Sequence, residues 1–153
     1  MEHAALSIET PIGQVLLEAR GGKIRHIRFV QTDGALRSSM ALDACSKQIA
    51  AYFRGELQMF TDIDIAMEGT VFQVSVWEAA LHISYGKTCT YRHIAEAIGR
   101  PGAMRAVGDA LRRNPLPILV PCHRIVPASG GIGGFSAGAW RKAWLLDHEK
   151  AHL

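Results

Sequence analysis

The chain has 153 residues, of which 48% are hydrophobic and 20% charged, with three cysteines and a formal net charge of +3. This length and balance predict a globular protein with one ordinary domain or two small ones. There is no run of eighteen apolar residues, which excludes a membrane-spanning helix, so we expect no membrane partner. The cysteines lack the paired spacing of a zinc finger, so we expect no metal site. The odd cysteine count and the lack of a signal-peptide pattern predict a reducing compartment, the cytoplasm, or the nucleus in a eukaryote.

The charge is divided unevenly along the chain. Residues 1–68 hold seven Lys or Arg against nine Asp or Glu, a balance of −2. Residues 69–153 hold ten against five, a balance of +5. A basic excess of this kind fits a polyanionic partner for the second half, and a solvated basic face explains it equally well.

The first half predicts a small α/β lobe over residues 1–68. Weak alternation from 6 to 30, interrupted by turn residues at 10–13 and by Gly21-Gly22, predicts a three-stranded antiparallel meander. Apolar residues at helical spacing predict a helix over 41–54, ended by Gly55, with Cys45 in the core. A further short strand is predicted over 62–65.

The second half, 69–153, predicts a mostly helical lobe. Thr70 and Thr90 are predicted to cap two helices, the first placing apolar residues from 72 to 83 on one side and the second covering 91–98. A third helix, over 102–112, would complete a helix-turn-helix pattern with the second, and the last would cover 139–152 with Trp140 and Trp144 inward. The fold class is therefore α+β, with a winged-helix-like second lobe. Helix pairs of this kind also occur in proteins that bind no DNA, so the pattern alone leaves DNA binding open.

Cys122 is the strongest candidate for chemistry. It follows the apolar run 118–120, predicted to be a short buried strand that ends at Pro121, and it precedes a glycine-rich loop over 130–138. His123 is a candidate base, and the positive charge of Arg124 would favour the reactive thiolate. An isolated Cys-His pair is more often packed than reactive, so these residues alone also fit a structural role.

The motifs of the chain, taken in order, resemble those of the 6-O-alkylguanine-DNA alkyltransferases almost from end to end. The matching segments are TPIG at 10–13, AYFRGEL at 51–57, GTVFQ at 69–73 with VW at 76–77, YGKT at 85–88, TY at 90–91, RAVG at 105–108, NP at 114–115, PCHRIV at 121–126, GGF at 133–135, and Lys142 with LL at 145–146 and Glu149. Two positions depart from the family pattern: Phe135 stands where tyrosine is frequent, and Ser84 where proline is usual.

The resemblance implies a role for each matching residue. Cys122 would accept the alkyl group, His123 would act as its base through water, and Glu149 would orient that histidine. Asn114 would bridge the helix-turn-helix to the active-site turn, and Tyr91 would help to rotate the target nucleotide. The other DNA-binding residues would be Arg105, which enters the duplex, and Thr90, Ala106, Gly108, Arg112, Arg113 and Arg124. The pocket for the base would be lined by Met104, Ile125, Phe135 and Ser136.

The activity implied by the resemblance is direct reversal of DNA damage. The alkyl group of 6-O-alkylguanine, and less readily of 4-O-alkylthymine, would pass from a flipped-out nucleotide to Cys122. A thioether has no hydrolytic exit, so each molecule would act once, without cofactor or metal. The partner would be double-stranded DNA containing alkylated guanine. We expect a monomer and leave cooperative binding on DNA open.

Two other functions remain open at this point. A cysteine hydrolase with a Cys122–His123 dyad would turn over repeatedly on an ester or peptide. A non-catalytic lesion-binding module would bind damaged duplex without covalent change, although the inert relatives of the family carry tryptophan at the position of Cys122.

Overall fold

The structure is a computed structural model that describes residues 3–31 and 37–153. It divides into two compact units, one ending at Met67 and the other beginning at Glu68. None of the helices in the described ranges is both long enough and apolar enough to cross a membrane.

The first unit is a three-stranded antiparallel sheet covered by one helix. Strands β1 (His3–Thr10), β2 (Gly13–Arg20) and β3 (Lys23–Val30) pair in sequence order, with a register irregularity between Glu18 and Ala19. Helix α1 (Met40–Phe53) packs on all three strands. The predicted meander and helix are confirmed, because alternation and helical spacing each place one apolar face against the other.

The core of the first unit lies between the sheet and α1. Its buried side chains include Val15, Leu17, Ile24, Leu42 and Ile49. Cys45 is also fully buried, and burial raises the pKa of its thiol to about 12, which confirms it as an inert core residue.

The segment over 62–65 does not form the predicted strand. It makes an isolated parallel bridge between Ile65 and Ile24, in which the amide of Ile24 donates to the carbonyl of Asp64 at 2.8 Å. Asp62 has a positive φ of 55°, which breaks the extended backbone that a regular strand needs.

The second unit contains four helices and a minimal sheet. These are α2 (Val71–Ala80), α3 (Tyr91–Ala97), α4 (Met104–Arg112) and α5 (Ala139–Ala151), together with the two-residue strands β4 (Cys89–Thr90) and β5 (Ile125–Val126), which pair in parallel. Thr70 and Thr90 cap α2 and α3 as predicted, each accepting a hydrogen bond from a backbone amide three residues on. The α+β fold class is therefore confirmed.

Helices α2 and α3 pack against α4. The indole Nε1 of Trp77, on α2, donates to the carbonyl of Ala110, on α4, at 2.8 Å, and both residues are buried. Helices α3 and α4, joined by the turn over 98–103, form the predicted helix-turn-helix. Helix α4 begins at Met104 rather than at residue 102, because Pro101 and Gly102 lie in a turn before its first residue.

Two further predictions for this unit are wrong. The apolar run 118–120 is buried but forms a tight turn, in which Ile118 has a φ of +79° and Pro117 bridges Val120. The amide of Val120 donates to the carbonyl of Leu116 at 2.9 Å, and its own carbonyl accepts from the Asn114 side chain and from the Cys122 amide. Trp140 was expected to face inward, yet it is 58% exposed with the guanidinium of Arg141 over its ring.

Candidate active site

Asn114 holds the buried turn that precedes Cys122. This asparagine follows the last turn of α4 and is 3% exposed. Its side-chain amide donates to the carbonyl of Val120 at 3.0 Å, and its side-chain oxygen accepts from the amide of Leu116 at 2.9 Å. The asparagine thereby satisfies backbone groups that have no strand partner, and fixes where the 3-10 turn Cys122–Arg124 begins.

Cys122 opens that 3-10 turn and has no exposed surface. Burial raises the pKa of its thiol well above the ordinary range, while the charge of Lys142 and a hydrogen bond from Asn114 act in the opposite direction. Burial thus disfavours the thiolate, against the expectation that positive charge in this turn favours it, and a base is needed to take up the thiol proton.

His123, which follows Cys122 in the chain, forms a buried pair with Glu149. Nε2 of His123 lies 2.6 Å from Oε2 of Glu149, and the two side chains are 0% and 1% exposed. Among the described residues, Nδ1 of His123 has no hydrogen-bond partner. Helix α5 thus brings the carboxylate to the active-site turn from 26 residues further along the chain.

The protonation of this pair follows from its surroundings. Burial acts to raise the pKa of Glu149, but hydrogen bonds and charge from His123 and Arg124 hold it well below its usual range. Burial lowers the pKa of His123, and Glu149 opposes that shift. An ionised Glu149 can only accept, so Nε2 of a neutral His123 carries the hydrogen and Nδ1 keeps a free lone pair. Nδ1 is therefore the basic atom.

Arg124 turns away from solvent and binds Glu149 through two nitrogens. Its Nε lies 2.8 Å from Oε1 and its Nη2 lies 2.9 Å from Oε2. Its Nη1 donates to the carbonyl of Ile83 at 2.7 Å, and the residue is 7% exposed. This corrects the expectation that Arg124 contacts DNA and favours a thiolate, because its guanidinium is already committed to the buried carboxylate.

Lys142 is a buried cation. The sequence analysis named it only as part of a motif and did not predict its contacts. Its Nζ donates to the carbonyl of Ile125 at 2.6 Å and to that of Gly134 at 3.1 Å. Burial lowers its pKa to about 8, against the opposing effect of Cys122. The signal available in the sequence was its spacing of three and seven residues from Leu145 and Glu149, which places all three on one face of α5.

Tyr91 and the glycine-rich loop meet beside this lysine. The hydroxyl of Tyr91 accepts a hydrogen bond from the amide of Gly134 at 3.0 Å. Gly133 has a φ of +79°, and a side chain there would overlap the Tyr91 hydroxyl. Phe135 is 6% exposed and presents an edge-on ring contact to His123 at 6.2 Å between centroids. The loop therefore reaches both the tyrosine and the histidine.

Apart from Arg124, the predicted DNA-binding residues lie on or next to one helix-turn-helix but differ in exposure. Met104, Arg105, Ala106 and Arg112 are exposed on α4, and the exposed Arg113 directly after it pairs with Asp109 at 3.0 Å. Thr90 caps α3 and is half-buried. Gly108 is instead buried next to the ring of Tyr91, so it allows α4 to approach the tyrosine rather than facing solvent.

A family model described as "6-O-methylguanine DNA methyltransferase, DNA binding domain" matches residues 71–151. The methylated-DNA–protein-cysteine methyltransferase of Methanosarcina barkeri is 41% identical, covering 95% of this chain and 96% of its own. The chain belongs to the 6-O-methylguanine-DNA methyltransferase family.

Solved structures agree with this assignment. The crystal structure of Mycobacterium tuberculosis O6-methylguanine methyltransferase has a TM-score of 0.89 to this chain at 40% identity, covering 99% of this chain and 95% of that one. The crystal structure of M. tuberculosis OGT in complex with DNA has a TM-score of 0.87 at 40% identity, covering 97% and 93%.

In this methyltransferase-family chain, the structure brings together most of the residues that the sequence singled out. Asn114, Cys122, His123 and Glu149 are all buried, and Ile125 and Phe135 are buried as well. Ser136 and Met104, expected in the base pocket, are exposed. No group of three or more His, Cys, Asp or Glu in residues 3–31 and 37–153 is arranged to hold a metal ion.

Proposed function

We propose that this protein repairs alkylated DNA directly, by moving the alkyl group from the 6-oxygen of guanine to Cys122. The observation that carries the proposal is the buried Nδ1 of His123, which has no hydrogen-bond partner among the described residues, while Nε2 of the same ring is held by Glu149 and Cys122 is the preceding residue. Family membership supplies the substrate class. 4-O-alkylthymine, with an alkyl group on a similar ring oxygen, is the expected weaker substrate.

The transfer needs a proton acceptor for the thiol and a hydrogen donor for the departing guanine. The thiol proton passes to Nδ1 of His123, directly or through water, and Glu149 stabilises the imidazolium that forms. The sulfur then attacks the alkyl carbon, the S–C bond forms, and the C–O bond breaks with its electron pair remaining on guanine. The Tyr91 hydroxyl accepts from Gly134 and can donate its hydrogen to the guanine as it leaves. The proton taken up by His123 then passes through water to the tyrosine, so that guanine leaves neutral and both side chains are restored.

A duplex must be opened for this chemistry, because the alkylated oxygen lies inside the base stack. Arg105 is exposed on α4, and we assign it the space that the flipped nucleotide leaves. Thr90, Tyr91, Ala106, Arg112 and Arg113 are the proposed contacts on the same helix-turn-helix. Because the sulfur has no exposed surface, the side chains that cover it must move as the base enters.

The decisive experiment is an intact-mass measurement after mixing the protein with duplex DNA that contains 6-O-methylguanine. We expect one added CH2 unit per molecule, mapped to Cys122 by peptide analysis, and none in Cys122→Ala. The matched control is Cys89→Ser, which removes a half-buried thiol outside the site and should still be methylated.

The two other functions predict different masses. Tight binding to the methylated duplex without any mass increase would identify a lesion-binding module. Repeated turnover of an ester or peptide without a stable adduct would identify a hydrolase. Either result contradicts the proposed transfer.

A further inference from the structure

The carboxylate of Glu149 is surrounded by donors from three residues, two of them in the 3-10 turn and one in the segment after α2. Nε2 of His123 lies 2.6 Å away, two nitrogens of Arg124 lie within 2.9 Å, and the amide of Gly86 donates at 3.1 Å. Arg124 is the permanently charged member of this group, since arginine keeps its proton in proteins. Its guanidinium therefore balances the buried negative charge without help from histidine.

Which cation balances Glu149 determines whether His123 can act as a base. A buried carboxylate without a cation is strongly unfavourable, and a neighbouring imidazole can supply the charge by taking up a proton. An imidazolium carries hydrogen on both nitrogens and has no lone pair to accept a proton from a thiol. A histidine that balances Glu149 in this way would be unable to act as the base.

We propose that Arg124 is a positioning residue for alkyl transfer, which balances the charge of Glu149 and so leaves Nδ1 of His123 free to accept the thiol proton. This inference rests on the proposed function, because it concerns the base used in that reaction. Two nitrogens of Arg124 contact the carboxylate of Glu149, whereas His123 contacts it through Nε2.

Arg124 has a second geometric task that can be separated from its charge. Nη1 donates to the carbonyl of Ile83, and the guanidinium lies 5.6 Å from the ring centre of Tyr85. The arginine thus joins the turn after α2 to the carboxylate on α5. A lysine at 124 would keep a positive charge near Glu149 but could not make the two parallel contacts and the bond to Ile83 together.

Four titratable or charged groups face His123 from its own turn and from α5. Glu149 and Lys142 face it from α5, and Cys122 and Arg124 belong to its own turn. Burial lowers the pKa of His123, and the charges of Arg124 and Lys142 add to that effect, while Glu149 opposes it. Removal of Arg124 takes away the larger of the two cationic contributions, so the effect of Glu149 on the pKa of His123 is opposed only by burial and by Lys142.

The test is nitrogen NMR of the full chain with labelled histidine, comparing wild type, Arg124→Met and Arg124→Lys. We expect wild-type His123 to stay neutral with hydrogen on Nε2 at neutral pH. Its titration should move up by about one pH unit or more in Arg124→Met and by less in Arg124→Lys. The matched control is Arg54→Met, which removes an exposed arginine paired with Glu56 and should leave His123 unchanged.

A double variant keeps the test decisive if Arg124→Met folds poorly. Arg124→Met combined with Glu149→Gln removes both charges, so the demand for a proton on His123 disappears and its titration should move back below that of Arg124→Met. An unchanged titration in Arg124→Met, or a double variant that titrates as high as the single one, would overturn the inference.

The pH dependence of the alkylation rate distinguishes charge balancing by Arg124 from a purely structural role. With a benzylated guanine as substrate, the acid limb of the rate of Cys122 alkylation should shift to higher pH in Arg124→Met, and activity should recover as pH rises. An equal loss at every pH would contradict the charge-balancing role. The NMR titration needs no alkyl substrate, so it decides the role of Arg124 even if the wild-type protein transfers no alkyl group.

Discussion

The side-chain amide of Asn114 donates to the carbonyl of Val120 across a turn in which Ile118 has a left-handed backbone. This contact, with the bond from Leu116 to the same asparagine, replaces the strand pairing that the apolar sequence suggested. The position of Cys122 therefore depends on one polar side chain at the end of α4. Asn114 binds Leu116 before the turn and Val120 at its end.

Asn114→Ala should destabilise the protein, because it removes the acceptor of the buried Leu116 amide and leaves the carbonyl of Val120 with only its bond from the Cys122 amide. We expect a loss of about 2–4 kcal/mol in the free energy of unfolding, measured in urea. Asn114→Asp keeps the acceptor for Leu116 but replaces the donor to Val120 with a buried carboxylate oxygen, so it should also destabilise the protein. A change below about 0.5 kcal/mol in the alanine variant would contradict this account.

Gly133→Ala should impair alkyl transfer and stability together. The new methyl group would overlap the Tyr91 hydroxyl, and the φ of +79° adds a cost of about 1–2 kcal/mol for any L side chain. Gly131→Ala is the matched control in the same loop, since nothing lies within 4 Å of its new methyl and its φ is not in the left-handed region. Thermal unfolding and the rate of Cys122 alkylation measure both effects.

Removal of the Tyr91 hydroxyl should relieve part of that overlap. We therefore expect Tyr91→Phe with Gly133→Ala to be less damaged than the sum of the two single variants, by a double-mutant cycle. Strict additivity would mean that the tyrosine oxygen is not what the new methyl group meets.

The stability of the folded protein should fall as the solution becomes acidic, beginning near the ordinary pKa of histidine. The folded state lowers the pKa of His123, so the unfolded chain binds an extra proton as pH drops below about 6.5. Stability contributed by His123 is thus complete above that pH and is lost below it, by up to about 1.4 kcal/mol per pH unit. The lowered pKa of Glu149 adds a second loss below about pH 4.3, with the same sign.

His123→Gln isolates the first of these losses, because glutamine can still donate to Glu149 but does not titrate. The difference in unfolding free energy between wild type and variant should shrink from pH 7.5 to pH 5.5. His26 in the first unit also has a lowered pKa, but it is present in both proteins and cancels in the difference. A difference that stays constant or grows over this range would show that the folded state does not disfavour protonation of His123.

Arg105→Ala should slow alkyl transfer from duplex DNA far more than alkylation by free benzylated guanine, because only the duplex requires a flipped nucleotide. Lys47→Ala is the charge control, since it removes one exposed cation from α1 in the first unit. Both rates should be measured over a salt series, because phosphate contacts weaken steeply as salt rises. Equal losses on the two substrates would contradict the role assigned to Arg105.

Local sequence patterns were sufficient for the regular elements. The alternation before Val30, the helical stripe around Cys45 and the caps at Thr70 and Thr90 each predict structure from neighbours within a few residues, and each is confirmed. The strand predicted over 118–120 is wrong, because an apolar triplet indicates burial but not backbone conformation. The turn depends on a side-chain contact, from Asn114 to the carbonyl of Val120 six residues later, which an apolar pattern does not report.

The sequence by itself determined the α+β class, the helix-turn-helix and, through resemblance to a known family, the residues around which a reaction could be built. Tertiary structure alone decided their surroundings: a buried sulfur at Cys122, a guanidinium at Arg124 that faces inward, and a buried Lys142 that donates to two carbonyls. Protonation and pairing depend on burial and on groups distant in the chain, because charge interactions act through space at a dielectric that only the folded state sets. Residue order records which groups are available, and the packing of α5 against the active-site turn decides which of them meet.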